Sequence, residues 1–277
     1  MRDLARPGKA DLLVVGEGLT ALLLALEAGR AGRRVVLVRE HGWPVPPGPA
    51  EWPAVSPMGG AERRALAQQG WSLLASLAEH LPGVHLGEIA WLEASDTSPQ
   101  RVPAAWLDAG RLFPALAEEV KRASVEVVRT TVRGISVIEG QVLGVVTEAR
   151  RWDGRGVVIA TEEAARAYAL TRMAQDPQRV EEVTWPLRRL LREGEARASP
   201  TGIFWTAEGA AWLWGGLPGV QLSGPCLTDV PLSSPEHAPR VGPSARVKGL
   251  WYALGTRGWP LVAAGAAHFL AEKVLGR

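Results

Sequence analysis

Gly16-Glu17-Gly18-Leu19-Thr20-Ala21 is the run whose residue types and spacing best suit a defined chemistry. In such a run the first glycine permits a tight turn and the second lets a diphosphate approach bare backbone. The small residue three further on permits close helix–strand packing. A helix starting here offers N–H groups without intrahelical acceptors, and its dipole favours negative charge. The chemistry implied is binding of a dinucleotide pyrophosphate, with Gly16, Gly18, Leu19, Thr20 and Ala21 as the candidate cradle. An acid that meets the adenosine ribose belongs at the end of the following strand. Counting without gaps puts Arg39 there and Glu40 one residue later, so both are candidates. A carboxylate accepts from both ribose hydroxyls and an arginine accepts nothing, which favours Glu40. An arginine at this point also leaves a 2′-phosphorylated dinucleotide, NADP, open.

The elements that must position these residues are legible around them. Asp11 to Val15 reads as a buried strand, Leu19 to Gly29 as a helix apolar on all sides, and Val35 to Val38 as a second buried strand. Together they make a βαβ unit. Residues 41–60, rich in Pro and Gly, read as an irregular loop. A helix is expected over 61–81, with Leu66, Leu73, Leu74, Leu77 and Leu81 on one face. A strand is expected over 84–92 and a helix over about 107–122. Strands follow at 125–128, 134–138, 142–146 and 157–160, with Glu139-Gly140 as a hairpin turn. Residues 163–200 are mixed and charged, and 201–232 hold short strand candidates. A strand at 249–253 and a helix over about 261–275 end the chain.

Composition narrows the class. The 277 residues are 47% hydrophobic, 22% charged and 6% aromatic, an ordinary globular profile. Apolar stretches such as Leu19 to Leu26 are far shorter than the ~20 residues of a membrane span. The charged N-terminus runs straight into a strand pattern, so no signal peptide and a cytoplasmic location are expected. One cysteine, Cys226, excludes a disulfide framework, and the five histidines show no metal-ligand spacing. A net charge of +2 is too balanced to argue for nucleic acid, despite a pI near 9.0. Asparagine is absent, a habit of thermophiles, and only Lys9, Lys121, Lys248 and Lys273 are lysines; codon bias of a GC-rich genome reads the same composition. The 12 tryptophans are spread from Trp43 to Trp259 and read as packing residues.

Several segments, in order, resemble the FAD-dependent oxidoreductases of the D-amino-acid oxidase and glycine oxidase family. DLLVVGEGLTALLLALEAGRAGRRVVLV is similar to the family's N-terminal dinucleotide segment, and WLDAGRLFPAL to a helix start. Val132 in TTVRGISV stands where the family's backbone meets adenine. Val157-Val158-Ile159-Ala160-Thr161 resembles the strand that ends in ATG. Pro239-Arg240-Val241-Gly242-Pro243 followed by Gly249-Leu250-Trp251-Tyr252 resembles a late glycine-containing segment. Gly255-Thr256-Arg257-Gly258-Trp259 and the last helix resemble the family's loop at the flavin pyrimidine edge, where Arg257 and helix N–H groups would stabilise charge on reduced flavin.

The resemblance implies an α/β protein with FAD as cofactor. A Rossmann-like FAD-binding domain is expected over 1–83, 105–162 and 236–277. A small, reduced antiparallel β cap over 84–104 and 163–235 is expected to cover the flavin. The cofactor-contacting residues implied are Gly16, Gly18, Leu19, Thr20, Ala21, Arg39, Glu40, Val132, Ala160, Thr161, Gly242, Gly255, Thr256, Arg257, Gly258 and Trp259. The activity implied is oxidation of a small amine or amino acid, with no catalytic side chain assigned. Three departures stand beside it: Glu162 replaces the glycine of ATG, Pro231 stands where an arginine holds substrate carboxylates, and the chain is shorter after Leu92 and between Ala165 and Pro231. These keep two other readings open, an FAD-binding protein with lost or altered catalysis and a tRNA-modifying flavoprotein or partner subunit. Cys226 and His237 read as packing and loop residues. Arg188, Arg189 and Arg192 read as a solvated helix face, and Trp212 and Trp214 as one face of a strand.

Overall fold

The computed structural model describes residues 7–40, 51–55, 61–91, 100–161, 163–180, 182–190, 203–205, 211–214, 226–233, 239–256 and 260–276. Its first unit is β1 (Gly8–Val15), α1 (Leu19–Arg30) and β2 (Val35–Arg39), with β1 and β2 parallel and Val15 opposite Val38. The three elements form because an unbroken apolar run is cut by glycine at both turns. Helix α1 is covered nearly all round, with Leu22, Leu23, Leu24 and Ala21 at 1% exposure or less.

β3 (Glu51–Val55) lies inside the stretch read as an irregular loop. It pairs antiparallel with β5 (Gln100–Asp108), which in turn pairs with β4 (Val84–Trp91). The expected helix from about 107 begins later, as α3 (Ala109–Arg122), because the Asp108 side chain accepts from the Arg111 N–H and caps it. α2 (Ala61–Ala78) buries Leu66, Leu74 and Leu77 as its period requires.

β6 (Glu126–Arg129) extends the main sheet beside β2. β7 (Val132–Ile138) and β8 (Gln141–Thr147) form a hairpin whose turn residues Glu139 and Gly140 both have positive φ, 50° and 72°, as a two-residue turn between twisted strands demands. β9 (Arg151–Ile159) pairs antiparallel with β8 and parallel with β1. β15 (Leu250–Leu254) is parallel to β9 and antiparallel to β14 (Arg240–Pro243). The main sheet thus runs β14-β15-β9-β1-β2-β6, with the β7–β8 hairpin attached through β9.

Two layers cover this sheet. α1, α2, α3 and α5 (Pro260–Leu275) supply the apolar cluster on one face; β7, β8 and α4 (Ala164–Met173) supply that on the other. α2 and α5 cross backbone to backbone: a Cβ on Gly70 would stand 1.8 Å from the Leu261 carbonyl oxygen, and one on Gly265 1.8 Å from that of Leu66. Two small antiparallel sheets, rather than the one expected, stand apart from the main sheet. They are β3-β5-β4 and the four-stranded β11 (Ile203–Trp205)–β12 (Ala211–Trp214)–β10 (Glu182–Leu190)–β13 (Cys226–Ser233). Arg188 and Arg189 lie in strand β10, which corrects their reading as a helix face; the ladder to β12 and β13 overrides the charged local pattern.

Candidate functional site

The carboxyl edge of the main sheet gathers the glycine turn, the end of β2 and the segments after β9 and β15. The parallel register places Val15 beside both Val38 and Ile159, and Tyr252 beside Ile159. The chain therefore leaves β1, β2, β9 and β15 at one edge, where an open α/β sheet binds its ligand. The Gly16 N–H donates to the Val38 carbonyl at 3.0 Å, and the Ala160 N–H to that of Val15 at 2.8 Å.

The glycine turn is built against β9. A Cβ on Gly16 would fall 2.1 Å from the Ala160 carbonyl oxygen and 3.2 Å from the Thr161 nitrogen, so Gly16, Ala160 and Thr161 are in intimate contact. Gly18 is the N-cap of α1 and no side chain caps the helix there. Thr20 and Ala21 are fully buried in its first turn. Thr20 Oγ1 lies 3.1 Å from Thr256 Oγ1, joining the turn to the segment before α5 across 236 residues. Gly255, at φ 76°, makes the left-handed bend that brings Thr256 there. Gly242 sits in β14 opposite Tyr252. Arg257, Gly258, Trp259, Glu162 and His237 lie outside the described residues.

At the end of β2 the two candidates separate. Arg39 is 8% exposed and pairs in register with Arg129 of β6. Burial, then the Arg129 charge, lower its guanidinium pKa, and Glu17 opposes them. Glu40 is turned to the hairpin face. Its Oε1 accepts from the Val132 N–H at 2.7 Å and from Arg166 Nη2. The Val132 N–H, which the resemblance offers to adenine, is thereby held by Glu40. Arg166 is the residue that sequence reasoning missed: it lies 126 positions from Glu40, and no spacing marks the pair.

Two buried polar atoms near this edge lack partners among the described residues, Thr161 Oγ1 and Arg166 Nε. Buried polar groups are nearly always bonded, so such orphans mark places where a ligand's polar atoms would fit. With a helix start that has no side-chain cap and with the bare glycine turn, they form a polar set suited to a pyrophosphate-bridged dinucleotide. Among the described residues no group of three or more His, Cys, Asp or Glu is placed to hold a metal, and no helix is long and apolar enough to cross a membrane. A basic groove of about 570 Å³, lined by Arg30, Arg33, Arg34 and Arg122, lies at the opposite end of α1.

A second polar knot lies on the hairpin face. Asp176 Oδ2 accepts from Tyr252 Oη at 2.8 Å and from Ser244 Oγ at 2.5 Å, and Gln178 Nε2 donates to Oδ1 at 3.0 Å. Burial pushes the Asp176 carboxyl up, but the two hydroxyls and Arg246 outweigh it, and the net shift is down. Burial and the bond to Asp176 push the Tyr252 phenol well above its ordinary value.

Comparison with solved structures places this architecture. Glycine oxidase from Geobacillus kaustophilus matches with a TM-score of 0.68 at 16% identity, over 98% of this chain and 95% of that one. The chain shares the fold of glycine oxidase. L-proline dehydrogenase from P. horikoshii matches with a TM-score of 0.67 at 14% identity, over 98% and 94%. L-α-glycerophosphate oxidase from Mycoplasma pneumoniae, in a dithionite-reduced structure with FAD bound, matches with 0.64 at 15%, over 97% and 95%. No protein-family model and no curated protein matches the sequence. The glycine oxidase fold accounts for the α/β class.

Proposed function

We propose that the chain is an FAD-dependent oxidoreductase that oxidises a small amine or amino acid in the manner of glycine oxidase. The carrying observation is the glycine turn at Gly16, packed on Ala160 and Thr161 at the carboxyl edge and leading into a helix without a side-chain cap. Gly16 to Ala21 would hold the pyrophosphate and the end of β2 the adenosine. The segment Leu254–Thr256 would lie toward the isoalloxazine, as would Arg257 to Trp259 by resemblance. Bound FAD supplies an acceptor for hydride from the C–H next to the substrate nitrogen. The chain's own part is to bind, orient and enclose: the main sheet with the elements packed on it would carry the cofactor, and the two small sheets would cover it.

The same fold in a glycerophosphate oxidase supports FAD more strongly than it supports any one substrate. Among the described residues the basic groove lies a helix length, about 18 Å, from the glycine turn, and so lends the tRNA reading no support. The visible spectrum of the purified protein tests the cofactor, followed by anaerobic bleaching with glycine, sarcosine, proline and glycerol 3-phosphate. Flavin absorbance that an amine bleaches is the expected result. Protein that stays colourless with excess FAD overturns the reading; bleaching by glycerol 3-phosphate alone overturns the substrate class.

A further inference from the structure

Glu40 and Arg166 form a carboxylate–guanidinium pair whose place neither the helices nor the strands explain. Both recorded bonds of Glu40 fall on Oε1; with the described residues Oε2 makes none. The pair is largely shielded, at 13% and 20% side-chain exposure. Arg166 lies in the first turn of α4, a helix with no acid there. A cation at a helix N-terminus opposes the dipole, so helix formation is no reason for an arginine at this position. Its Nη2 also reaches the Val132 carbonyl at 3.4 Å, while Nε is buried without a partner among the described residues. A guanidinium presents five N–H donors in a fixed plane, and with Nη2 on Glu40 the Nε–H is the buried donor without a partner among the described residues.

We propose that Arg166 is the positioning residue for the adenosine end of the cofactor. It holds Glu40 by Oε1 and so leaves Oε2 to accept from a vicinal diol, with Nε–H as a donor to the same ribose. The ligand class is a nucleotide with free 2′- and 3′-hydroxyls; a 2′-phosphate would meet the Glu40 carboxylate and be repelled. This rests on the FAD reading above and names the residue that decides between Arg39 and Glu40.

The test is equilibrium binding of FAD, of ADP and of FMN, which has the flavin and a phosphate but no adenosine. It uses the parent, Arg166→Leu, Arg166→Lys, Glu40→Gln and the Arg166→Leu/Glu40→Gln double variant, with unliganded melting temperatures alongside. Loss of charge-assisted bonds is expected to weaken FAD and ADP about tenfold or more in Arg166→Leu and to leave FMN within about twofold. Arg166→Lys, which keeps the charge but not the planar fork, is expected to recover part of that loss, and it is the variant to read should Arg166→Leu melt early. The double variant is expected to bind no more weakly than the worse single one, because both act through one contact. Unchanged FAD affinity in Arg166→Leu, an equal loss of FMN, or additive losses in the double variant would each overturn the assignment alone. A parent that binds neither FAD nor ADP would overturn the FAD reading and this assignment with it.

Discussion

The two faces of the main sheet are held in different ways. The helical face is aliphatic: Leu22, Leu23, Leu24, Leu26, Leu74 and Leu270 are at 2% exposure or less, and α2 meets α5 through glycines. The hairpin face has its own apolar cluster, but two carboxylate knots tie it together, the half-buried Glu40 with Val132 and Arg166, and the buried Asp176 with Ser244 and Tyr252. Close packing is non-directional and insensitive to pH. Hydrogen-bonded carboxylates are directional and titrate. The hairpin face is therefore the one whose stability should depend on proton activity, through Asp176.

The largest effect is expected on the helical face. Gly265→Ala sets a methyl against the Leu66 backbone, where no side chain can move aside. A loss of about 3 kcal/mol is expected from urea unfolding, the same at pH 5 and pH 8. A loss below about 1 kcal/mol would mean the helices slide past one another freely, and the contrast between the faces would weaken.

Next comes Asp176→Asn. The native carboxylate receives hydroxyl protons that an amide cannot accept equally, and a cost of about 2 kcal/mol is expected at neutral pH. Because its folded pKa is lowered, the Asp176 contribution is present above the ordinary carboxylate value and lost as pH falls through the folded one. The parent should thus lose stability on acidification and the variant lose less; parallel pH profiles would break the comparison.

Tyr252→Phe leaves Asp176 one donor short, and about 1 kcal/mol is expected. The Tyr252 pKa is raised, so its contribution is complete below the ordinary phenol value and lost as pH rises toward the folded one. The parent-minus-variant absorbance near 295 nm should rise only as the protein unfolds in alkali. A rise in the folded protein near the ordinary phenol pKa would contradict the burial of this hydroxyl. The smallest effect, about 0.5–1 kcal/mol, is expected for Thr20→Val, which removes the link to Thr256. If the link also sets the flavin end, FAD affinity should fall with it; stability lost without affinity would make the bond purely structural.

The sequence determined the β1–turn–α1–β2 unit, the hairpin at Glu139-Gly140 and the apolar faces of α1 and α2. Each follows from a few adjacent residues: an apolar period, a glycine where the chain must bend. Strands β3 and β5 escaped because their partners lie elsewhere in the chain and only the ladder makes them strands. Thr20 with Thr256, Asp176 with Tyr252 and Glu40 with Arg166 lie 236, 76 and 126 residues apart. A hydrogen bond between distant residues imposes no period on the sequence, so only the folded chain could show that Glu40 turns toward Val132 while Arg39 stays buried against Arg129.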